Sequence, residues 1–132
     1  MDEEAVRAAL EHYIRYSGAG DEDRASEIYH EDAVLEFPQS GERFEGVGNF
    51  REWRRAYPAE VDLEIVRVRG RDDFWVVEVR ARYDGGPWKY GPAIYEFRGD
   101  KVSRETIYVA EGWDAPEWRA RWRSVTPADP PA

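Results

Sequence analysis

Between Val61 and Ala110 the sequence repeats one pattern four times, an alternating apolar–polar run closed by a short turn. The runs are Val61 to Arg69, Phe74 to Tyr83, Trp88 to Arg98 and Lys101 to Ala110. Each is about nine residues long, against a typical mean of ~5–6. Gly70-Arg71-Asp72-Asp73, Asp84-Gly85-Gly86-Pro87 and Gly99-Asp100 separate them, and Gly91-Pro92 predicts a bend inside the third. The second run is the cleanest. Trp75, Val77, Val79, Ala81 and Tyr83 alternate with Glu78, Arg80 and Arg82, which predicts one face to a core and one to water. Strands this long twist and coil, so the sheet is expected to curve into a cone. Its outer face is expected to carry Glu78, Arg80 and Arg82 with Val66, Val68 and Tyr108.

Ahead of the strands the period changes. Val6, Leu10, Tyr13 and Ile14 make one helical stripe over Asp2 to Ser17, and Gly18-Ala19-Gly20 ends it. Asp21 caps a short helix that buries Ala25, Ile28 and Tyr29, with His30 at its end. Ala33 to Phe37 and Glu42 to Glu45 read as two short strands around a Gln39-Ser40-Gly41 turn. Gly46 opens a helix carrying Phe50, Trp53 and Tyr57, and Pro58 stops it. Ala115 to Trp122 predicts a short C-terminal helix. The order is α+β: three N-terminal helices under a curved antiparallel sheet. One domain over residues 1–123 and a flexible tail over 124–132 are expected.

Composition narrows the chemistry. There is no cysteine, so disulfides, thiolate metal sites and a cysteine nucleophile are out. The start is acidic and no long apolar run follows, so neither a secretory signal nor a membrane span is expected, and the cytoplasm is the simplest location. With 28 acidic and 19 basic residues the net charge is −9, which repels nucleic acid and anionic lipid. Six Trp, eight Tyr and five Phe either line a small-molecule pocket or fill a wide gap between helices and sheet.

Asp32-Ala33-Val34-Leu35-Glu36-Phe37-Pro38 followed by Gly46, and Phe97-Arg98-Gly99-Asp100-Lys101-Val102 followed by Tyr108, resemble the nuclear transport factor 2-like superfamily over roughly residues 2–122. Phe37-Pro38-Gln39-Ser40-Gly41-Glu42-Arg43 with Ala115-Pro116-Glu117-Trp118-Arg119 is similar to a bacterial subgroup of SnoaL-like domains of unknown function. The resemblance implies a cystatin-like or SnoaL-like α+β barrel, no cofactor, no metal and sheet-to-sheet homodimers. It also implies that Tyr13 stands where ketosteroid isomerases keep an oxyanion-hole tyrosine. That family's base aspartate falls on Phe37 and its second acid on Ala93, neither of which exchanges a proton. SnoaL-like cyclases place an aspartate after Tyr-x on the last strand. Here Tyr108-Val109 is followed by Ala110, and the acid arrives one place later as Glu111.

Strand alternation then nominates the site. If Phe97 points inward, so do Ala93 and Tyr95, and the last strand turns Glu105, Ile107, Val109 and Glu111 to the same side. Tyr13, Glu105 and Glu111 are the candidate catalytic groups. Phe37, Trp53, Trp75, Tyr95, Ile107 and Val109 are the candidate walls for a small apolar or aromatic molecule. Desolvation in an apolar cone suits a carboxylate to acid–base work. The competing expectation is that Glu105 pairs with an arginine such as Arg80 or Arg104, or faces solvent after a one-residue slip. Three functions follow: a cofactor-independent cyclase, isomerase or dehydratase, a non-catalytic binding protein, or a dimeric assembly module.

Overall fold

The structure, a computed structural model, describes residues 1–126 and 128. The expected tail over 124–132 therefore lies largely outside the described residues. Helix α1 (Glu3–Gly18) starts at Asp2, whose side chain accepts the Ala5 N–H at 2.8 Å. Helix α2 (Glu22–Ala25) is capped in the same way by Asp21 and runs into a 3-10 turn over Ser26–Ile28. Strands β1 (Tyr29–Phe37) and β2 (Glu42–Glu45) form a hairpin, and α3 (Val47–Arg55) follows. Then come β3 (Val61–Arg71), β4 (Phe74–Tyr83), β5 (Lys89–Arg98), β6 (Lys101–Ile107) and the two-residue β7 (Ala110–Glu111). Among the described residues no helix is long and apolar enough to cross a membrane.

The strands form one curved, unclosed sheet in the order β2-β1-β6-β5-β4-β3, with β7 paired to β5. All neighbours are antiparallel except β1 and β6, which run parallel. The sheet is thus mixed at that seam. β1 enters from the helices rather than from a neighbouring hairpin, so its direction is free to match β6.

Helices α1 and α3 cover the concave face, where Val6, Leu35, Phe50, Val77 and Val102 are fully buried. Tyr13, Trp53 and Val79, at positions expected to be interior, are partly buried against that core. They also line the cavity on this face.

Three departures from the sequence pattern matter for the site. First, β1 begins at Tyr29, not Ala33. Tyr29 was expected to close a helix. It is a strand residue with its ring against Phe50, centroids 5.0 Å apart. His30 is likewise on the strand, half-buried with its ring nitrogen at the Arg98 carbonyl.

Second, β3 slips by one residue between Ile65 and Arg67, leaving Val66 as the extra residue of a bulge. A bulge reverses the alternation beyond it. Val68, expected outside, is therefore buried in the core.

Third, the last strand does not run unbroken to Ala110. It stops at Ile107, and the backbone of Tyr108 crosses Gly91 so closely that a Cβ there would sit 1.7 Å from the Tyr108 carbonyl oxygen. Gln39 ties down the break from the other side. Its amide donates to the Val109 carbonyl and accepts the Val109 N–H, both at 2.7 Å. The C-terminal segment is a 3-10 turn over Glu117–Trp122, and Trp113, Trp118 and Trp122 around it are exposed.

Candidate functional site

Covered by helices but not filled by them, the concave face keeps a cavity of about 550 Å³, inside the size range of small-molecule sites. Helix α1 contributes Tyr13, α3 contributes Trp53 and Arg54, and the sheet contributes Phe37, Tyr95 and Glu105. Ile107 and Val109 complete the wall near the break after β6.

Glu105 is 2% exposed. Its neighbours in the sheet are Leu35 on β1 and Tyr95 on β5, both buried, so the whole row faces inward. Its partner is neither Arg80 nor Arg104. Those pair outside with Glu64 and Glu36. The hydroxyl of Tyr29 donates to Glu105 Oε1, and the Arg54 guanidinium stands 3.8 Å from Oε2. Arg54 also donates to the Tyr29 oxygen at 3.1 Å. The three side chains thus form one hydrogen-bonded relay, from guanidinium to phenol to carboxylate.

Arg54 is held by more than charge. Its guanidinium lies over the rings of Tyr13 at 4.7 Å, Trp53 at 5.4 Å, Tyr29 at 5.5 Å and Phe50 at 5.6 Å. In a site with the Arg54 side chain only 9% exposed, such contacts are stronger than at a surface. Helical spacing explains the placement: Arg54 follows Phe50 by four residues, so it shares the buried face of α3.

Burial pushes the Tyr29 and Tyr95 hydroxyls well above the ordinary tyrosine range. The Glu105 charge adds to the shift at both, and Arg54 pulls against it. Tyr13 is also raised by burial, opposed by Arg54 and by a hydrogen bond with Ser17. All three phenols are neutral hydrogen-bonding groups at ordinary pH.

A second polar group stands on the same wall. Glu22, at the start of α2, is 7% exposed and lines the cavity. Ser17 donates to its Oε1 at 2.7 Å, while Oε2 has no hydrogen-bond partner among the described residues. Trp53 Nε1 is likewise buried without an acceptor.

Two expected site residues stand elsewhere. Glu111 does not line the cavity. Its side chain is 84% exposed and meets Lys89 at 3.3 Å on the rim, because the break at Tyr108 ends the alternation that pointed it inward. Trp75 is buried in the core and does not line the cavity, its Nε1 donating to the Asp72 carbonyl at 2.9 Å. Phe37 and Ala93 both line the cavity, so the places matching the isomerase acids are apolar. His12 is half-buried and meets the Arg24 carbonyl at 2.8 Å. Among the described residues no group of three or more His, Asp or Glu is placed to hold a metal ion. Arg54, Tyr29 and Glu22 were not anticipated. Only Arg54 left a signal, its helical spacing from Phe50.

The family model described as a SnoaL-like domain matches residues 10–105. Among solved structures, the chain is similar to a protein of unknown function from Burkholderia xenovorans described as like nuclear transport factor 2. That match has 36% identity, covers 95% of this chain and 98% of the other, and has a TM-score of 0.85. A Kribbella flavida protein provisionally described as a ketosteroid isomerase matches at 24% identity over 98% and 96% of the two chains, with a TM-score of 0.79. An M. tuberculosis LEH-like epoxide hydrolase matches at 18% identity over 80% and 82%, with a TM-score of 0.68. The last two likenesses are of fold alone. No curated protein matches the sequence.

The raised tyrosines predict an alkaline limit to stability. Phenols raised by burial leave stability intact below the unfolded value of about 10 and remove it as pH rises beyond, because only the unfolded chain then ionises. Urea denaturation between pH 9 and 11 is expected to show that loss. It should be shallower in Tyr95→Phe, which releases one proton fewer on unfolding.

Proposed function

The chain belongs to the family of SnoaL-like domains, and from that premise we propose that it binds a small, largely apolar or aromatic molecule and acts on it by cofactor-independent acid–base chemistry at Glu105. The observation that supports this reading is a buried carboxylate on the wall of a cavity of small-molecule size.

Each neighbour of Glu105 has a role in that chemistry. Arg54 neutralises its charge without covering it, since Arg54 approaches Oε2 only to 3.8 Å. Tyr29 holds Oε1 and so orients the carboxylate. Glu105 would take a proton from a carbon or hydroxyl of the ligand. Returned to a different carbon, that proton completes an isomerisation. Delivered to a departing hydroxyl, it completes a dehydration. Tyr13, neutral and on the same wall, would donate to the carbonyl or enol oxygen on which negative charge develops.

One observation favours a second reading, that of a non-catalytic binding protein. Both oxygens of Glu105 already face protein groups, as in a purely structural ion pair. A turnover measurement separates the two, using a ligand found by thermal-shift screening. Glu105→Gln keeps the side chain's size and is expected to retain binding while turnover falls at least ~100-fold. Unchanged turnover in Glu105→Gln, or none in the native protein, leaves only the binding reading.

We further propose a homodimer through the outer sheet face. Arg67–Glu78 and Arg80–Glu64 pair across β3 and β4 there, and such mixed charges complement themselves about a two-fold axis. Light scattering at micromolar concentration should give twice the 15.4 kDa chain mass. A single-chain mass would refute the dimer.

A further inference from the structure

The cavity wall carries an electrostatic imbalance that the relay around Glu105 does not use. Every cation on that wall already has an acid: Arg54 has Glu105, Arg55 has Asp23 and Glu52, and Lys89 has Glu111. Among the acids on the wall, Asp62 is matched by Arg82. Glu22 and the exposed Glu60 are left with no ion pair among the described residues.

Glu22 is the informative one. It is more than nine-tenths buried, it lines the cavity, and among the described residues a neutral hydroxyl is its one hydrogen-bond partner. A buried carboxylate oxygen without a partner is unfavourable, and a bound donor removes that penalty. Oε2 is closed to solvent, and rotation about the broad Glu terminal torsion exchanges the two oxygens. Tyr13, Trp53, Tyr57 and Tyr83 line the same cavity. Aromatic faces attract cations, and the net charge of −9 draws them toward the protein.

We propose that the ligand of this cavity is a hydrophobic amine, bound in protonated form with its ammonium on the Glu22 carboxylate and its apolar body among the aromatic rings. The inference deepens the small-molecule reading above and rests on it. Glu22 is thereby a specificity-determining residue at the α1–α2 end of the cavity, separate from Glu105.

Benzylamine, benzyl alcohol and toluene test this, since they share one ring and differ in the group offered to Glu22. Calorimetry at pH 7 is expected to show benzylamine binding about ten-fold or more tighter than benzyl alcohol. Glu22→Gln should abolish that preference. Contacts measured by NMR in the native protein give a second readout that needs no variant. The benzylamine methylene should lie near Ser17 and Glu22. Equal affinity for amine and alcohol, a preference that survives Glu22→Gln, or a methylene near Tyr95 and Glu105 instead would overturn the ammonium assignment alone. Failure of all three probes to bind would overturn the small-molecule reading with it.

Discussion

A guanidinium and a carboxylate are buried together at the centre of this fold, and most of its particulars follow from keeping them matched. A buried charge without its partner is strongly unfavourable. Arg54 comes from α3, Glu105 from β6, and Tyr29, which bridges them, from the first residue of β1. Three elements distant in sequence must therefore arrive in one register. The parallel seam between β1 and β6 sets Leu35 opposite Glu105, and Phe50, one turn before Arg54, packs on Tyr29.

The cavity lies between the curved sheet and helices α1 and α3, both of which line it. The bulge at Val66 bends β3, and a second slip between Glu96 and Phe97 bends the β5–β6 ladder. At the far end, Gly91 lets the chain cross and Gln39 fastens Val109 beside it. These same irregularities bring Val109 to the wall and leave Glu111 on the rim. The aromatic residues divide accordingly: Phe50 and Trp75 fill the core, whereas Tyr13, Trp53 and Tyr95 bound the empty space.

Period-two alternation was enough to read the long strands, and it turned Glu105 inward correctly because β5 and β6 pair regularly from Ala93 to Glu96. It failed wherever the ladder slips. Val68 reversed its face past a bulge, and no residue near Val66 announces that bulge. Tyr29 was read as helical because Ala25, Ile28 and Tyr29 keep helical spacing, yet the 3-10 turn ends one residue earlier. In the sequence Glu22 is an ordinary first-turn acid after a capping aspartate. Its burial depends on how α2 folds back on α1, a tertiary matter invisible in spacing. Arg54 was legible in principle, four residues from Phe50, but a lone arginine on a buried face has no meaning until its carboxylate is known.

The central claim is that Arg54 and Glu105 act as one buried unit, and a double-mutant cycle in chemical denaturation at pH 7 tests it most directly. Arg54→Met and Glu105→Leu are each expected to destabilise the protein by about 3–5 kcal/mol, since each strands the other's charge. The double variant should be much closer to the native protein than the sum of the two, with an interaction of about 2 kcal/mol or more. Additive losses, with the double variant as unstable as the two singles summed, would show that the pair is not coupled and would contradict the account.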